Sequence, residues 1–170
     1  MDDVLSAQVG SLLRRGGLYL AVAESCTGGL LGHRLTNVPG SSDYFLGGVI
    51  AYADSTKQAL LGVKAETLLR FGAVSRETVL EMARGVRERL RPSGIAMTQL
   101  IGLAISGIAG PGGGTPDKPV GLTWIALSTA DGEWAWSYRW EGDRLHNKAS
   151  SAEQALRLLL NYLEEHVSAC

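Results

Sequence analysis

Short apolar runs alternate with helical segments along this chain, and this alternation restricts the fold more than any other feature of the sequence. Residues 18–23, 47–53 and 100–106 have the length and composition of buried strands. Segments with apolar residues at helical spacing lie before and between them, at residues 3–15, 30–35, 65–71 and 76–90. Strands that alternate with helices form a largely parallel sheet with helices on both faces. The sequence therefore predicts an α/β fold with three α/β/α layers.

The C-terminal third predicts an antiparallel addition to this sheet. Residues 122–129 and 133–140 flank Asp131-Gly132, which is a strong signal for a tight hairpin. Residues 145–167 then carry an apolar stripe at helical spacing. We expect a mixed sheet that includes this hairpin. No repeat or internal boundary divides the sequence, so residues 1–170 are predicted to form a single domain.

Four aromatic residues share one face of the last predicted strand, since they alternate with smaller or polar residues: Trp134, Trp136, Tyr138 and Trp140. One interpretation is core packing beneath a helix. The other is an interface, because exposed aromatic rings are favoured where proteins associate. The second interpretation predicts a homodimer.

Charge and cysteine content exclude several classes of protein. Lys and Arg total 16 against 17 for Asp and Glu, so no positive field concentrates the chain on nucleic acid or on an anionic membrane. Cys26 and Cys170 make a poor disulfide framework, and the amino terminus lacks a continuous apolar stretch. We therefore expect a cytoplasmic protein that contacts neither nucleic acid nor membrane.

No cofactor or metal ion is expected from the motifs. His33, His146 and His166 have no metal-ligand spacing, and the glycine-rich segment 107–114 ends neither as a phosphate loop nor as a dinucleotide fingerprint. This segment and the turn at residues 25–29 both follow predicted strands, where backbone amides often bind phosphate or carboxylate groups. Ligand binding and ordinary turns are both open interpretations of these two segments.

The nucleophile candidates stand at loop edges, and they are numerous: Ser25, Cys26, Ser41, Ser42 and Ser106. No GxSxG sequence supports a serine–histidine triad. Lysine is the other possible base. Lys57 falls in the first turn of a predicted helix after an apolar run, and both the helix dipole and burial would favour its neutral amine. An exposed surface lysine is the alternative.

Seven sequence blocks resemble one known family, the CinA carboxy-terminal family, whose free-standing members are nicotinamide-nucleotide amidohydrolases. The blocks run in order along the chain: AESCTGG (23–29), GSS (40–42), VIAY followed by Lys57 (49–57), GAVS (72–75), SGIAGPGGGT (106–115), KPVG (118–121) and GDR (142–144). The resemblance implies removal of the amide nitrogen of nicotinamide mononucleotide, with a pyridine nucleotide as the small-molecule partner.

Residue roles follow from the same resemblance. It implies that Ser42 is the nucleophile and Lys57 its general base. Other members of the implied substrate site are Tyr52, Ser25, Ser106 and Arg144, with the amides of Gly107 and Gly110. Arg144 is suited to phosphate because its planar fork forms paired hydrogen bonds. Where the family commonly has a second arginine, this chain has Lys148.

Two alternatives to a serine amidohydrolase are also open. One is a non-catalytic nucleotide-binding module, or an accessory protein for DNA uptake or the response to DNA damage. It would need the glycine-rich loops but not a pairing of Ser42 with Lys57. The other is a hydrolase that uses the Cys26 thiol, against which a buried structural cysteine is the simpler interpretation.

Overall fold

Five strands form one mixed sheet in the computed structural model, which describes residues 4–167. The strands are β1 (Tyr19–Glu24), β2 (Phe45–Ile50), β3 (Leu100–Gly107), β4 (Leu122–Ser128) and β5 (Glu133–Arg139). Their spatial order is β2-β1-β3-β4-β5, so β2 and β5 are the edges. Strand β1 pairs in parallel with β2 and β3, whereas β3–β4 and β4–β5 are antiparallel. The predicted fold class is confirmed.

Six α-helices cover the two faces: α1 (Val4–Gly16), α2 (Leu30–Thr36), α3 (Asp54–Leu61), α4 (Ala65–Phe71), α5 (Arg76–Arg89) and α6 (Arg144–His166). Helices α1, α2 and α6 share one core cluster with the sheet, and α3 and α5 share a second cluster on the opposite face. None of the helices between residues 4 and 167 combines the length and apolar character needed to cross a bilayer.

The two-residue period of the strands divides the core between these faces. In β1, Leu20 and Val22 pack toward α1, α2 and α6, whereas Ala21 and Ala23 pack toward α5. Small residues on the α5 side allow a close approach of helix and sheet. A Cβ atom on Gly102 would lie 2.1 Å from the carbonyl oxygen of Ala83 in α5. A side chain at this position would push the helix off the sheet.

The predicted strand at residues 47–53 needs correction. Strand β2 begins and ends earlier, at Phe45 and Ile50, and a 3-10 helix at Ser41–Asp43 precedes it. Helix α3 has Ala53 at its N-cap, with no side-chain hydrogen bond to the cap. At the start of α5, the Ser75 hydroxyl accepts a hydrogen bond from the Thr78 N–H at 3.2 Å and caps the helix.

Helix α6 covers most of the aromatic face of β5. Trp136 and Tyr138 pack against the core cluster that α6 shares. The Trp140 indole donates a hydrogen bond to Ser151 in α6 at 2.9 Å, and its ring stacks on that of Tyr138. Trp134 is exposed, with 36% of its surface accessible, whereas the other three rings are partly buried. The core-packing interpretation therefore fits three of these rings in the single chain.

Candidate active site

A crevice is expected where β1 and β3 end side by side, because the connection that follows β1 and the connection that leads into β3 lie on opposite faces of the sheet. The chain after β1 enters α2 on one face, whereas β2 returns to β3 through α3, α4 and α5 on the other. In open α/β sheets, ligands bind at such a divergence, beside the carboxyl ends of the strands. Ser25 follows β1 at this edge, and Ser106 and Gly107 end β3.

The buried carboxylate of Glu24 binds the backbone amides that follow the turn after β1. Glu24 is 2% exposed, and its oxygens accept hydrogen bonds from the N–H groups of Gly29 (3.0 Å), Leu31 (3.1 Å) and Gly32 (2.8 Å). These are the amides at the start of α2, and the Glu24 carboxylate occupies the position that a ligand anion would take. The amides of Gly29, Leu31 and Gly32 therefore already have an anionic partner within the chain.

Arg144, at the start of α6, contacts both the glycine-rich loop and the loop that follows β2. One terminal nitrogen donates to the carbonyl oxygen of Gly110 at 2.7 Å, and the other donates to the Tyr52 hydroxyl at 2.8 Å. The structure thus brings Arg144, Tyr52 and Gly110 together, as the resemblance implied. Only two of the five N–H groups of the guanidinium are used, so the others can bind a phosphate.

Asn147, one turn further along α6, was not singled out from the sequence. Its amide nitrogen donates to the carbonyls of Ala109 (3.1 Å) and Gly142 (3.0 Å), and its side-chain oxygen accepts from the Gly142 N–H at 3.1 Å. The residue is 2% exposed. Its signal in the sequence is a polar side chain on a helix face that is otherwise buried. Asn147 holds the glycine-rich loop against α6.

Lys57 is the most buried charged side chain of the site, with 1% of its surface exposed. Its amine donates to the carbonyl oxygen of Tyr52 at 3.3 Å and lies 3.5 Å from a carboxylate oxygen of Asp54. Asp54 itself is 57% exposed at its side chain. The alternative of a surface lysine is wrong, because folding places this amine under the loop that follows β2.

Lys148, in α6, places its amine near the turn that follows β1. Its amine lies 3.5 Å from the position that a Cβ atom on Gly28 would take, and Gly28 has a positive φ of 61°. The positive φ favours glycine at this point, whereas the distance to Lys148 is an ordinary contact. A shallow pocket beside it is lined by Thr27, Gly29, His33 and Leu145. Lys148 adds a second positive charge to the side of the site that carries Arg144.

Cys26 is a poor nucleophile in this fold. Burial raises the pKa of its thiol to about 12, with a smaller contribution from the negative charge of Glu24. The thiolate is the reactive form, so almost none of it exists near neutral pH. Its sulfur also lies 3.0 Å from the position of a Cβ atom on Gly107. Both observations favour a packing role for Cys26.

Ser106 serves as a tie between segments. Its hydroxyl donates to the carbonyl oxygen of Ala73 at 2.7 Å, and the residue is 1% exposed. Ala73 belongs to the loop that leads into α5. Ser106 thus holds the end of β3 against that loop.

Ser42 lies at the amino end of β2, whereas Ser25, Ser106 and Gly107 lie at the carboxyl ends of β1 and β3. Ser42 precedes β2 by three residues, and its neighbour Asp43 forms an ion pair with Arg14 near the end of α1. Lys57 follows the other end of β2. Five steps along a strand span about 16 Å. Ser42 and Lys57 therefore lie beyond opposite ends of β2.

No group of three or more potential metal-ligating side chains is found among residues 4–167. The chain thus has an α/β fold with a buried lysine and two further cations, Arg144 and Lys148, near the carboxyl ends of its parallel strands. The chain belongs to the CinA C-terminal domain family, whose sequence profile matches residues 2–163.

Relatives and solved structures agree with this assignment. A CinA-like protein of Parasynechococcus marenigrum is 51% identical over 158 residues, covering 93% of this chain and 36% of that protein. A CinA-like protein of Desulfotalea psychrophila is 45% identical over 165 residues, covering 97% of this chain and 38% of that protein. The chain thus spans little more than a third of these curated relatives.

Among solved structures, a CinA superfamily protein from Klebsiella pneumoniae superimposes with a TM-score of 0.88 at 32% identity, covering 96% of this chain and 98% of that chain. A competence/damage inducible protein from Agrobacterium tumefaciens gives 0.79 at 38% identity, covering 91% and 96%. The whole fold is therefore similar to free-standing structures of the same superfamily.

Proposed function

We propose that this protein is an amidohydrolase that converts nicotinamide mononucleotide and water to nicotinate mononucleotide and ammonia. The observation that carries the proposal is the buried Lys57 amine, which donates to the carbonyl of Tyr52, the residue whose hydroxyl accepts from Arg144. A buried lysine needs a reason, because removing its charge from water is costly. A general base that alternates between amine and ammonium is one such reason.

The proposed reaction has two stages. Lys57 takes the proton of a serine hydroxyl as the oxygen attacks the carboxamide carbon. The intermediate then collapses, its amide nitrogen receives the proton from Lys57, and ammonia leaves. Water attacks the resulting ester and gives a proton to Lys57, which returns it to the departing serine oxygen. Backbone N–H groups of the exposed loop at residues 112–114 are suited to stabilise the oxyanion.

The remaining parts of the site suit the remaining parts of this substrate. Arg144 has free N–H groups for a phosphate, and Lys148 is a second cation for it, although it binds as a point charge. Tyr52 is 58% exposed, so its ring is available beside the pyridinium. A non-catalytic nucleotide-binding module would use the same cations but would have no need of a buried base.

The test is product analysis with purified protein. Nicotinamide mononucleotide should yield nicotinate mononucleotide and equimolar ammonia. Lys57→Met should lower kcat by about 10²–10⁴-fold, because it removes the base and keeps the length of the side chain. Lys64→Met is the matched control, since Lys64 is exposed in the loop before α4. Tight binding of nicotinamide mononucleotide without turnover by the wild type would support the binding module instead.

A further inference from the structure

We infer that a groove between β5 and the C-terminal part of α6 binds a small organic ammonium cation. Its walls include Trp134 and Trp136 on the strand, with Tyr162, Glu165 and His166 on the helix. The groove has a volume of about 480 Å³ and is partly open to solvent. It is large enough for an alkylated ammonium group and the short chain that carries it.

The groove is separate from the site that contains Lys57. Trp134 is paired with Leu127 near the hairpin turn, whereas Ser106 pairs with the other end of β4. Helix α6 begins at Arg144, and Tyr162 lies about 27 Å further along its axis. A ligand in the groove would therefore contact none of the residues of the proposed reaction.

Two inclined aromatic rings form a corner of the groove. The centroids of the Trp134 and Tyr162 rings are 5.9 Å apart, and their planes are inclined by 45°. A Cβ atom on Gly132 would lie 3.1 Å from the Trp134 ring, so a glycine in the hairpin allows the indole to lie over the turn. The faces of aromatic rings attract cations, and tryptophan does so most strongly. Rings inclined in this way can contact one rounded cation from two sides.

The charges around the groove favour a cation over an anion. Glu165 is exposed in its wall, and the Tyr162 hydroxyl donates to the carboxylate of Asp131 at 2.5 Å, which places a second negative charge nearby. Within residues 4–167, no lysine or arginine lines the groove. Arg87, in α5, instead donates to two backbone carbonyls. The charge of the groove is thus complementary to that of an ammonium ligand.

The composition of the walls favours an alkylated ammonium over a primary one. A compact ammonium group is strongly hydrated, and one carboxylate with aromatic rings does not replace that water. An alkylated ammonium carries apolar surface of its own, which Leu127 and Leu158 in the same groove can contact. Asn161, exposed at the groove, offers an amide to a polar group on the rest of the ligand.

Nuclear magnetic resonance titration with choline tests the inference. The matched control ligand is 3,3-dimethylbutanol, which has the shape of choline without its charge. Choline should bind with a Kd of about 1 mM, as expected for a ligand of few atoms, and the neutral alcohol about 5-fold more weakly. The N-methyl proton signal of choline should move upfield, because protons above an aromatic face are shielded. The titration is run at pH 8, where histidine side chains are ordinarily neutral.

Equal affinity for choline and the alcohol would overturn the inference, because the groove would then be apolar without selecting charge. The absence of any shift with tens of millimolar choline would overturn it as well. Neither result depends on amidohydrolase activity, since the titration contains no nicotinamide mononucleotide. The proposed function and this inference therefore fail or succeed separately.

Variants of the two walls locate the binding. Trp134→Leu keeps an apolar side chain but removes the ring, and it should raise the Kd of choline about 10-fold, whereas Trp134→Phe should raise it only about 2-fold. Glu165→Gln should raise it about 3-fold, as for an exposed charge pair. Glu164→Gln is the matched control, since Glu164 is exposed and lines a different depression beside Arg15. Binding of choline by folded Trp134→Leu as tight as that by the wild type would overturn the inference, and so would equal effects of the two glutamate variants.

Discussion

At the scale of single residues, Arg144 joins substrate capture to the order of the site. It contacts the Tyr52 hydroxyl and the Gly110 carbonyl, and its remaining N–H groups are proposed to bind phosphate. Arg144→Ala should lower kcat/KM for nicotinamide mononucleotide about 10- to 100-fold, as for the loss of a charged hydrogen bond. Nicotinamide riboside, which lacks the phosphate, should lose much less. The measurement is a comparison of kcat/KM for the two substrates.

Two variants serve as controls for this prediction. Arg139→Ala removes an exposed arginine from β5 and should change neither value. Lys148→Arg should improve capture of the phosphate-bearing substrate, because a guanidinium binds phosphate through two parallel hydrogen bonds. Equal losses for the two substrates in Arg144→Ala would contradict the phosphate assignment.

Cys26 should make the free energy of unfolding fall as the pH rises above about 9. Burial raises the pKa of its thiol from 9.0 to about 12, so the folded protein retains a proton that the unfolded chain releases. The stabilisation is complete below pH 9 and is lost as the pH rises toward 12. At pH 10.5 the wild type should have lost about 2 kcal/mol more of its free energy of unfolding than Cys26→Ala has.

Urea unfolding of both proteins at pH 8 and pH 10.5 checks this value. Tyr44 and Tyr162, whose pKa values are also raised by burial, titrate in both proteins and cancel from the comparison. The same applies to Cys170, which lies outside the described residues. Parallel pH dependences would show that Cys26 ionises normally in the fold. Cys26→Ala should keep most of the amidohydrolase activity, since the thiol has no proposed role in catalysis.

At the scale of elements, the position of α6 depends on Asn147. Its side chain bridges Ala109 in the glycine-rich loop and Gly142 before the helix. Asn147→Asp replaces the donating nitrogen with a second oxygen, which then faces two carbonyls. The variant should be destabilised by about 1–3 kcal/mol, as expected for buried groups that lose their partners.

Hydrogen exchange locates the effect of that change. Amides of residues 108–114 should exchange faster in Asn147→Asp, whereas those of β1 should keep their relative protection. Asn161→Asp, at an exposed position of the same helix, should behave like the wild type. Uniform loss of protection across the sheet would instead mean that Asn147 supports the whole core.

The elements themselves were largely predictable, because apolar periodicity is a local property of the sequence. The strands, the hairpin at Asp131-Gly132 and the cap at Ser75 follow from neighbouring residues alone. The capping of α2 by Glu24 was not predictable in this way, since the carboxylate turns back to amides five to eight residues later. The contact of Arg144 with Tyr52 joins residues 92 apart and depends on the full topology.

The placement of Ser42 shows more clearly what local sequence patterns cannot predict. Sequence blocks around Ser42 and Lys57 carry the resemblance. Only the structure shows that these two residues lie beyond opposite ends of the strand β2. A motif fixes which residue types are present, whereas strand direction decides which of them meet. In this chain, Ser42 and Lys57 are 15 positions apart in sequence, and the strand β2 lies between them.

At the scale of the whole molecule, two tryptophans of β5 should differ in their contribution to stability. Trp136 is partly buried and packs against the core beneath α6, so Trp136→Ala should destabilise the fold by about 3 kcal/mol. Trp134 has 36% of its surface exposed and stands 5.9 Å from the Tyr162 ring. Trp134→Ala should therefore cost about 1 kcal/mol, the scale of one aromatic pair.

Sedimentation tests whether the aromatic face of β5 is an interface between copies. Trp134→Ala should sediment as the wild type does at matched concentration, because the other three rings of this face pack or hydrogen-bond within one chain. Trp136→Ala should change sedimentation only where it unfolds, because its effect acts through contacts with the core. Dissociation of Trp134→Ala without loss of stability would instead identify the aromatic face of β5 as an interface between copies.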